Sequence, residues 1–386
     1  MDYIAYDFYN KFKCEIGCID TCCKAATWAI AIDKDSIKRY NELEGEFGEK
    51  VRAGIDENGK FKFHENGHCV MFNEDGLCDI HKNLGSEYLC NTCKNFPRSS
   101  YAYNGIVHYS LSCACPVVAK EILFDREGVF FNSGKLEKEI KIEPPHEKER
   151  ISYKLRGLTA DILQDPSAKL DDKLIYASML YESIGKAPSY GPKAQKEQMK
   201  IIEIYTSKIS EIQAIAKTHK ERDGKTVIEK IGTYKFFISL LQGFLVHENA
   251  EQKNKDFYER LDRLLDNKLE GLELDNLKDN FNAYFINNEI VFENFIITSI
   301  FEKVFPANEN GIRQAFTIIL LQYVMVQMLI SLLYYDKNEI NDDDVCNCLY
   351  YVTRKFSHNG SFIDNMNKVI EQNEVLSNIE ALLSIV

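Results

Sequence analysis

The residues best equipped for chemistry are cysteines, and they are unevenly placed. Of the 12 in this 386-residue chain, ten lie between Cys14 and Cys115, and only Cys346 and Cys348 lie beyond. The first group reads Cys14-x3-Cys18-x3-Cys22-Cys23. On a helix, positions 14, 18 and 22 share one face; on a loop they can wrap a metal. Cys69 and Cys78 follow, then Cys90-x2-Cys93 ahead of Phe96-Pro97-Arg98, and then Cys113-Ala114-Cys115-Pro116. A C-x2-C pair lets two thiolates grip one metal, and adjacent cysteines are rare outside metal or disulfide sites. Soft thiolates select zinc, Cu(I) or iron–sulfur over hard cations. Ten cysteines exceed one four-coordinate site, so the pattern implies two sites, or cysteines that support the ligands or act in redox chemistry. Only one C-x2-C pair is present, which argues against a simple zinc ribbon. His64, His68, His81 and His108 share this third of the chain. Ordinary surface or core roles are expected for them, with His68, beside Cys69, best placed if zinc is bound.

The opening residues, MDYIAYDFYNKFKC, carry no basic region followed by an apolar stretch, so no secretory signal is expected. The expectation is a cytoplasmic protein whose cysteines are held by metal or free, because disulfides do not persist in a reducing compartment. The net charge of -12 argues against nucleic acid or an anionic membrane as partner, and 45% apolar with 27% charged residues fits a soluble globular chain. Ala315 to Tyr335 runs 21 residues without a charge, but Gln322, Gln327 and Ser331 interrupt it and no basic cluster flanks it. A buried central helix is expected there, not a membrane span.

The elements that must position the cysteines change character along the chain. Residues 1–123 are short apolar runs broken by Gly, Asn, Asp and Cys. Residues 60–63 and 69–72 could pair as strands or stay as loop. Residues 124–150, with Gly128, Gly134 and Pro144-Pro145, form a linker candidate. From 151 to 386 the apolar spacing turns helical, i, i+3, i+4, i+7, through eight successive segments. Asn341 to Asp344 supply a cap and acids at one helix start. The expected architecture is mainly α: an irregular, cysteine-rich, metal-binding domain (1–123), a linker (124–150) and an all-α helical domain (151–386).

Known cofactor motifs are missing. The C-x3-C-x2-C signature of radical S-adenosylmethionine enzymes is missed by one residue in the first cluster. No G-x-G-x-x-G follows a strand, and there is no P-loop.

The runs KCEIGCIDTCC, GLCDIHKNLGSEYLCNTCKNFPR and SLSCACPVVAKEIL, with ENFIITSIFEKVFP (293–306) and YYVTRKFSHN (350–359), resemble the flagellin lysine-N-methylase family. The first third also resembles the wider group of zinc- or iron-chelating cysteine-cluster domains. The family resemblance implies methyl transfer from S-adenosylmethionine to lysine side chains of flagellin or a similar exported protein. It further implies a [4Fe–4S] cluster on the N-terminal cysteines, with zinc as the alternative metal. Carried over by motif, the ligand candidates are Cys14, Cys18, Cys22, Cys23, Cys69, Cys78, Cys90, Cys93 and Cys115, with Cys113 an extra. After Cys23 this chain reads KAATW where the family tends to show Gly-Trp, a departure that bears on the local loop and not on the cluster.

Among other residues, Arg98 could grip a carboxylate bidentately or hold a structural salt bridge. Arg354 and His358 lie four apart on one helix face, which could serve an active site or pair with an acidic neighbour. Glu293 falls in an apolar helical stretch and needs a partner if buried, with Arg354 the candidate. Cys346 and Cys348 are expected to be ordinary helix residues. Three readings compete: a lysine methyltransferase, a non-catalytic metal module whose helices dock a protein, and a thiol-based redox sensor.

Overall fold

The computed structural model describes residues 2–14, 22–24, 30–103, 106–136, 147–188, 191–222, 259, 263, 274–303, 311–337, 339–358, 366 and 368. The helical periodicity after residue 150 is realised as a bundle. Its helices are α6 (Glu147–Leu163), α7 (Leu170–Lys186), α8 (Pro192–Ser207), α9 (Ile212–Arg222), α10 (Leu274–Phe285), α11 (Glu289–Lys303), α12 (Ile312–Lys337) and α13 (Asp342–His358). The run 194–217, continuous by period, is divided by a tight turn at Ile209–Glu211, and the run 276–305 breaks at 286–288. The expected helix at 227–246 lies outside the described residues. Helix α12 touches α7, α10, α11 and α13, and its apolar stretch is buried inside the bundle. A helix apolar all round finds its place in such a core. The start of α13 is closed reciprocally: Asp344 N donates to Asn341 Oδ1 (2.9 Å) and Asn341 N to Asp344 Oδ2 (3.3 Å).

The first third is less irregular than its sequence suggests. Strands β1 (Asp2–Tyr6), β2 (Arg98–Tyr103), β3 (Ile106–Leu111) and β4 (Phe131–Lys135) form one sheet in the order β2-β3-β1-β4. β1 pairs parallel with β3 and antiparallel with β4; β2 and β3 are antiparallel. Strand β4 falls inside the stretch expected as a linker. Its pattern, FNSGK, is too short and polar to read as a strand, and only its pairing with β1 defines it.

Short helices α1 (Lys34–Asn41), α2 (Gly45–Ala53), α3 (Asp79–Leu84) and α4 (Asn91–Asn95) frame residues 30–95. Residues 60–63 and 69–72 do pair, through the isolated bridge of Phe63 with Cys69 and the bond from Val70 N to Lys62 O (3.1 Å). This region has its own apolar cluster, which includes Tyr40, Val51, Phe61, Met71, Cys69 and Cys90. The sheet belongs to a different core. Tyr6, Leu111, Cys113, Cys115 and Val118 pack in one continuous cluster with α6, α7, α11, α12 and α13. α5 (Pro116–Val118), continued by a π-helical turn at Ala119–Leu123, carries the chain from the sheet into that core. Asn294 holds the turn's end: its Nδ2 donates to Leu123 O (3.1 Å) and Asp125 O (3.0 Å).

Candidate functional site

Sheet topology gathers the cysteines. Because β1 and β3 run parallel and β2 runs against them, the C-terminal ends of β1 and β3 and the N-terminal end of β2 share one edge. Cys14 follows β1, Cys90 and Cys93 precede β2, and Cys113 and Cys115 follow β3. Three separate segments thus deliver thiols to one end of the sheet.

Beyond that end, Cys22, Cys23, Cys69, Cys78, Cys90 and Cys93 influence one another. The Cys23 thiol is pushed well up by its hydrogen bond with Cys22, then by burial and by Cys78 and Cys93. Burial raises Cys69 to about 12 and also raises Cys78, with Cys22 adding to both. Cys93 is raised by its hydrogen bond to Cys90, whose own thiol is lowered as the acceptor. Cys90 is the residue just before α4, where backbone N–H groups favour a thiolate. Cys69 N donates to Cys23 O at 2.7 Å, tying the second cysteine segment to the first. Cys115, raised by burial to about 11, is affected by Cys22 and Cys14. None of Cys23, Cys69, Cys78, Cys90, Cys93, Cys113 and Cys115 is in a disulfide.

Among the described residues, no three His, Cys, Asp or Glu side chains already form a metal site. The chemistry of the donor set nonetheless fits a soft metal: six thiols from four segments crowd one another, and a cation turns that mutual repulsion into attraction. Cys18 lies outside the described residues. His68 sits edge-on to Phe72, at 5.4 Å between ring centres.

One carboxylate positions part of this group. Asp33 accepts from Ser36 N (3.0 Å) at the start of α1 and from Asn91 N (2.8 Å) at the start of α4. It therefore joins the helix that carries Cys93 to the one that begins the region. Thr92 Oγ1 adds a bond to Ala31 O (2.7 Å).

The sheet's two faces each hold an arginine among aromatic rings. On one face, Arg98 donates to Phe12 O (2.7 Å) and lies over the rings of Phe12 (4.8 Å) and Tyr9 (5.7 Å). This anchors the segment leading to Cys14. On the other face, the register sets Tyr101 opposite His108, next to Ile4. There Arg156 of α6 donates to Tyr101 Oη and lies 3.0 Å from His108 Nδ1. Its guanidinium is 4.4 Å from the Phe301 ring centre, 5.1 Å from Tyr153 and 5.8 Å from Tyr101. Burial holds His108 neutral, its basicity lowered to about 4, and lowers Arg156 to about 10. Tyr6 Oη reaches Thr298 O (3.4 Å), and the Cys113 thiol reaches Thr298 Oγ1 (3.6 Å). A polar seam between sheet and bundle thus runs from the cysteine end, through Cys113, Thr298 and Tyr6, to Arg156 and His108.

Sequence reasoning missed this seam. The usable signal was Asn104-Gly105 between the runs RSSYAY and IVHYSL, a hairpin pattern that sets Tyr101 against His108. Arg156 is one of two arginines in an amphipathic helix, and nothing in its spacing distinguishes it.

Arg354 is buried in α13 with its guanidinium 5.3 Å from the Tyr350 ring centre, while Arg98 sits on the sheet. The side chain of His358, the last residue of α13, lies outside the described residues. The partner guessed for Glu293 is corrected: it forms a buried ion pair with Lys173 of α7, because α7 rather than α13 faces this part of α11. Cys346 is buried near Cys115 and Cys113, its sulfur 4.0 Å from Pro116 O.

Comparison with known proteins places the chain. A family model described as the FliB lysine N-methylase C-terminal domain matches residues 156–385, more than half of the chain. A lysine-N-methylase of Salmonella typhimurium is 24% identical over 401 residues, covering 94% of both chains, and one from Salmonella choleraesuis matches equally. The flagellar biosynthetic protein FliU of Salmonella muenchen is 33% identical over 135 residues, 32% of this chain and 77% of that one. No solved structure matches.

Proposed function

The chain belongs to the FliB lysine N-methylase family, and from that premise we propose that it transfers methyl groups from S-adenosylmethionine to lysine side chains of flagellin or a similar exported protein. The observation that carries this reading is the match of a lysine-N-methylase over 94% of both chains, cysteine region and bundle together. A cytoplasmic location, where S-adenosylmethionine is made, is part of the proposal.

The reaction is an in-line attack by a neutral amine on a sulfonium methyl. A free lysine, with a pKa near 10.4, is charged at neutral pH, so the enzyme must strip its proton or favour the neutral form by desolvation. The seam offers the second influence. Tyr6, Tyr101, Tyr153 and Phe301 supply low-polarity walls, and the Arg156 cation disfavours a second positive charge nearby.

The cysteines fit a [4Fe–4S] cluster held by a subset of Cys14, Cys18, Cys22, Cys23, Cys69, Cys78, Cys90, Cys93 and Cys115, with zinc the alternative. When bound, a cluster with an open iron supplies a coordination position for the amino-acid end of S-adenosylmethionine, and a closed one supplies rigidity. The protein's own part is to hold the thiols at the sheet's end, through Asp33 for α4 and Arg98 for the segment before Cys14.

The test is metal analysis of anaerobically purified protein, followed by labelled methyl transfer to a co-expressed flagellin. About four irons and four sulfides per chain with labelled lysine support the full proposal. Zinc without sulfide leaves a methylase with structural zinc. Metal without any methyl transfer favours a non-catalytic module whose helical bundle docks a partner.

A further inference from the structure

The strand order β2-β3-β1-β4 leaves β2 on one outer edge of the sheet. Ser112 N donates to Pro97 O (2.9 Å), and this bond sets the phase of the β2–β3 ladder. Counted from it along the register, Ser99 and Tyr101 turn their backbone groups inward to β3, while Ser100 and Ala102 turn theirs outward. Ser100 and Ala102 are exposed, and among the described residues no backbone group bonds to them on that outer side. Natural sheets usually guard such an edge with a charge, a proline or a bulge. The stretch from Ser99 to Ala102 has no charge and no proline, and its register with β3 is unbroken. The charge of Arg98, just before it, is tied to Phe12 O on the face of the sheet. The opposite edge differs: β4 ends on Lys135 and adjoins no cysteine-bearing segment.

We propose that the outer edge of β2 binds an extended, lysine-bearing segment of the protein substrate as a fifth strand. The proposal rests on the lysine-methylase reading above. Three observations select this occupant. The outward backbone groups of Ser100 and Ala102 recognise an extended chain through its main chain, and the small side chains beside them leave room for the partner's own. β2 follows directly on α4, the helix that carries Cys93 and starts at Cys90, so a strand added along β2 has one end where the thiols gather. A lysine at that end of the segment is delivered to the metal-binding region. Charge separates this partner from a second copy of the chain: two chains of net charge -12 repel one another, whereas a lysine-bearing segment is attracted.

Hydrogen exchange of the metal-loaded protein, with and without purified flagellin, reads the edge directly. The Ser100 and Ala102 amides should exchange freely in the protein alone and become protected when flagellin binds. Kinetics supply the second reading. Ser100→Pro removes an outward donor and leaves the inner ladder intact, because that N–H does not face β3. It should raise KM for flagellin about tenfold, as expected for one backbone bond lost with its acceptor left unpaired, and leave kcat unchanged. Ser133→Pro makes the same change on the outer side of β4 and should leave KM as it is. Methyl transfer to flagellin without protection at residues 98–103 overturns the proposal and leaves the methylase reading standing. A KM that rises with Ser133→Pro instead gives the role to β4 and also overturns it. So does protection that grows with protein concentration in the absence of flagellin, which assigns the edge to a second copy. If the wild type neither binds nor methylates flagellin, the methylase reading fails first and takes this proposal with it. Exchange in the wild type decides the matter if Ser100→Pro does not fold.

Discussion

Asp33 joins two helix starts with one carboxylate, and removing it has a calculable effect. In Asp33→Ala, α1 loses its cap on Ser36 N, and the amide of Asn91 loses an ionised acceptor. A lost cap costs about 1 kcal/mol, and a hydrogen bond to a charged group contributes about 1.5–3 kcal/mol, so the variant should lose roughly 2–4 kcal/mol. Asp33→Asn keeps a good cap and an acceptor oxygen for Asn91, and should lose about 1 kcal/mol or less. The Asn91 amide, chiefly, holds the Asp33 carboxyl below its usual range. A lowered carboxyl contributes stability above the unfolded pKa of about 3.9 and loses it as pH falls through the folded value. The gap between wild type and Asp33→Ala should therefore be constant from about pH 5 to 8 and shrink below about pH 4. Urea unfolding followed by fluorescence suits the measurement, since Trp28, the chain's one tryptophan, is five residues away in sequence. A loss under about 0.5 kcal/mol for Asp33→Ala, or equal losses for Asn and Ala, refutes the double-cap argument, because surface substitutions without a role stay in that range.

Other outcomes follow from buried groups. Lys173→Met strands Glu293 and should cost about 3–5 kcal/mol, whereas Lys173→Met with Glu293→Leu should recover most of it; thermal melts of the three proteins decide. Tyr323 Oη is buried in α12 with no hydrogen-bond partner among the described residues, so Tyr323→Phe should be neutral or stabilising by about 1 kcal/mol, and a clear loss in urea unfolding would reveal a hidden partner. His108 is held neutral by burial, with its pKa lowered to about 4. Its contribution is complete above the unfolded value of about 6.5 and lost as pH falls from there toward 4, so His108→Gln should flatten the stability profile in that window.

Much of the helical part could be read from its period. The start of α13 was legible because Asn341 and Asp344 announce a cap, and α12 because 21 uncharged residues leave few alternatives to a core. The cysteine grouping was legible as chemistry, but its assembly was not. The segments that carry Cys14, Cys90, Cys93 and Cys115 come to one end of the sheet because β1 pairs in parallel with a strand a hundred residues later, and no local pattern encodes such a pairing. The same holds for β4, which has five residues of mostly polar sequence and becomes a strand only beside β1. Glu293 was rightly expected to need a partner. Which cation answers it depends on the angle between two helices, and spacing along one helix does not contain that angle.

The central place of β1 has a consequence for synthesis. Residues 2–6 leave the ribosome about a hundred residues ahead of their partners, residues 106–109 and 131–135. At about 5–20 residues per second, on the order of ten seconds pass before both neighbours exist. During that interval the segment around Tyr40, Phe61, Met71 and Ile80 can close its own small core, while the first strand waits with its backbone groups unpaired. Long-range parallel pairing is slow to form and leaves edges open to other chains. The newborn protein should therefore be most prone to aggregate before residue 135 emerges. Lower expression levels, which thin the population of such unfinished chains, should raise the soluble yield.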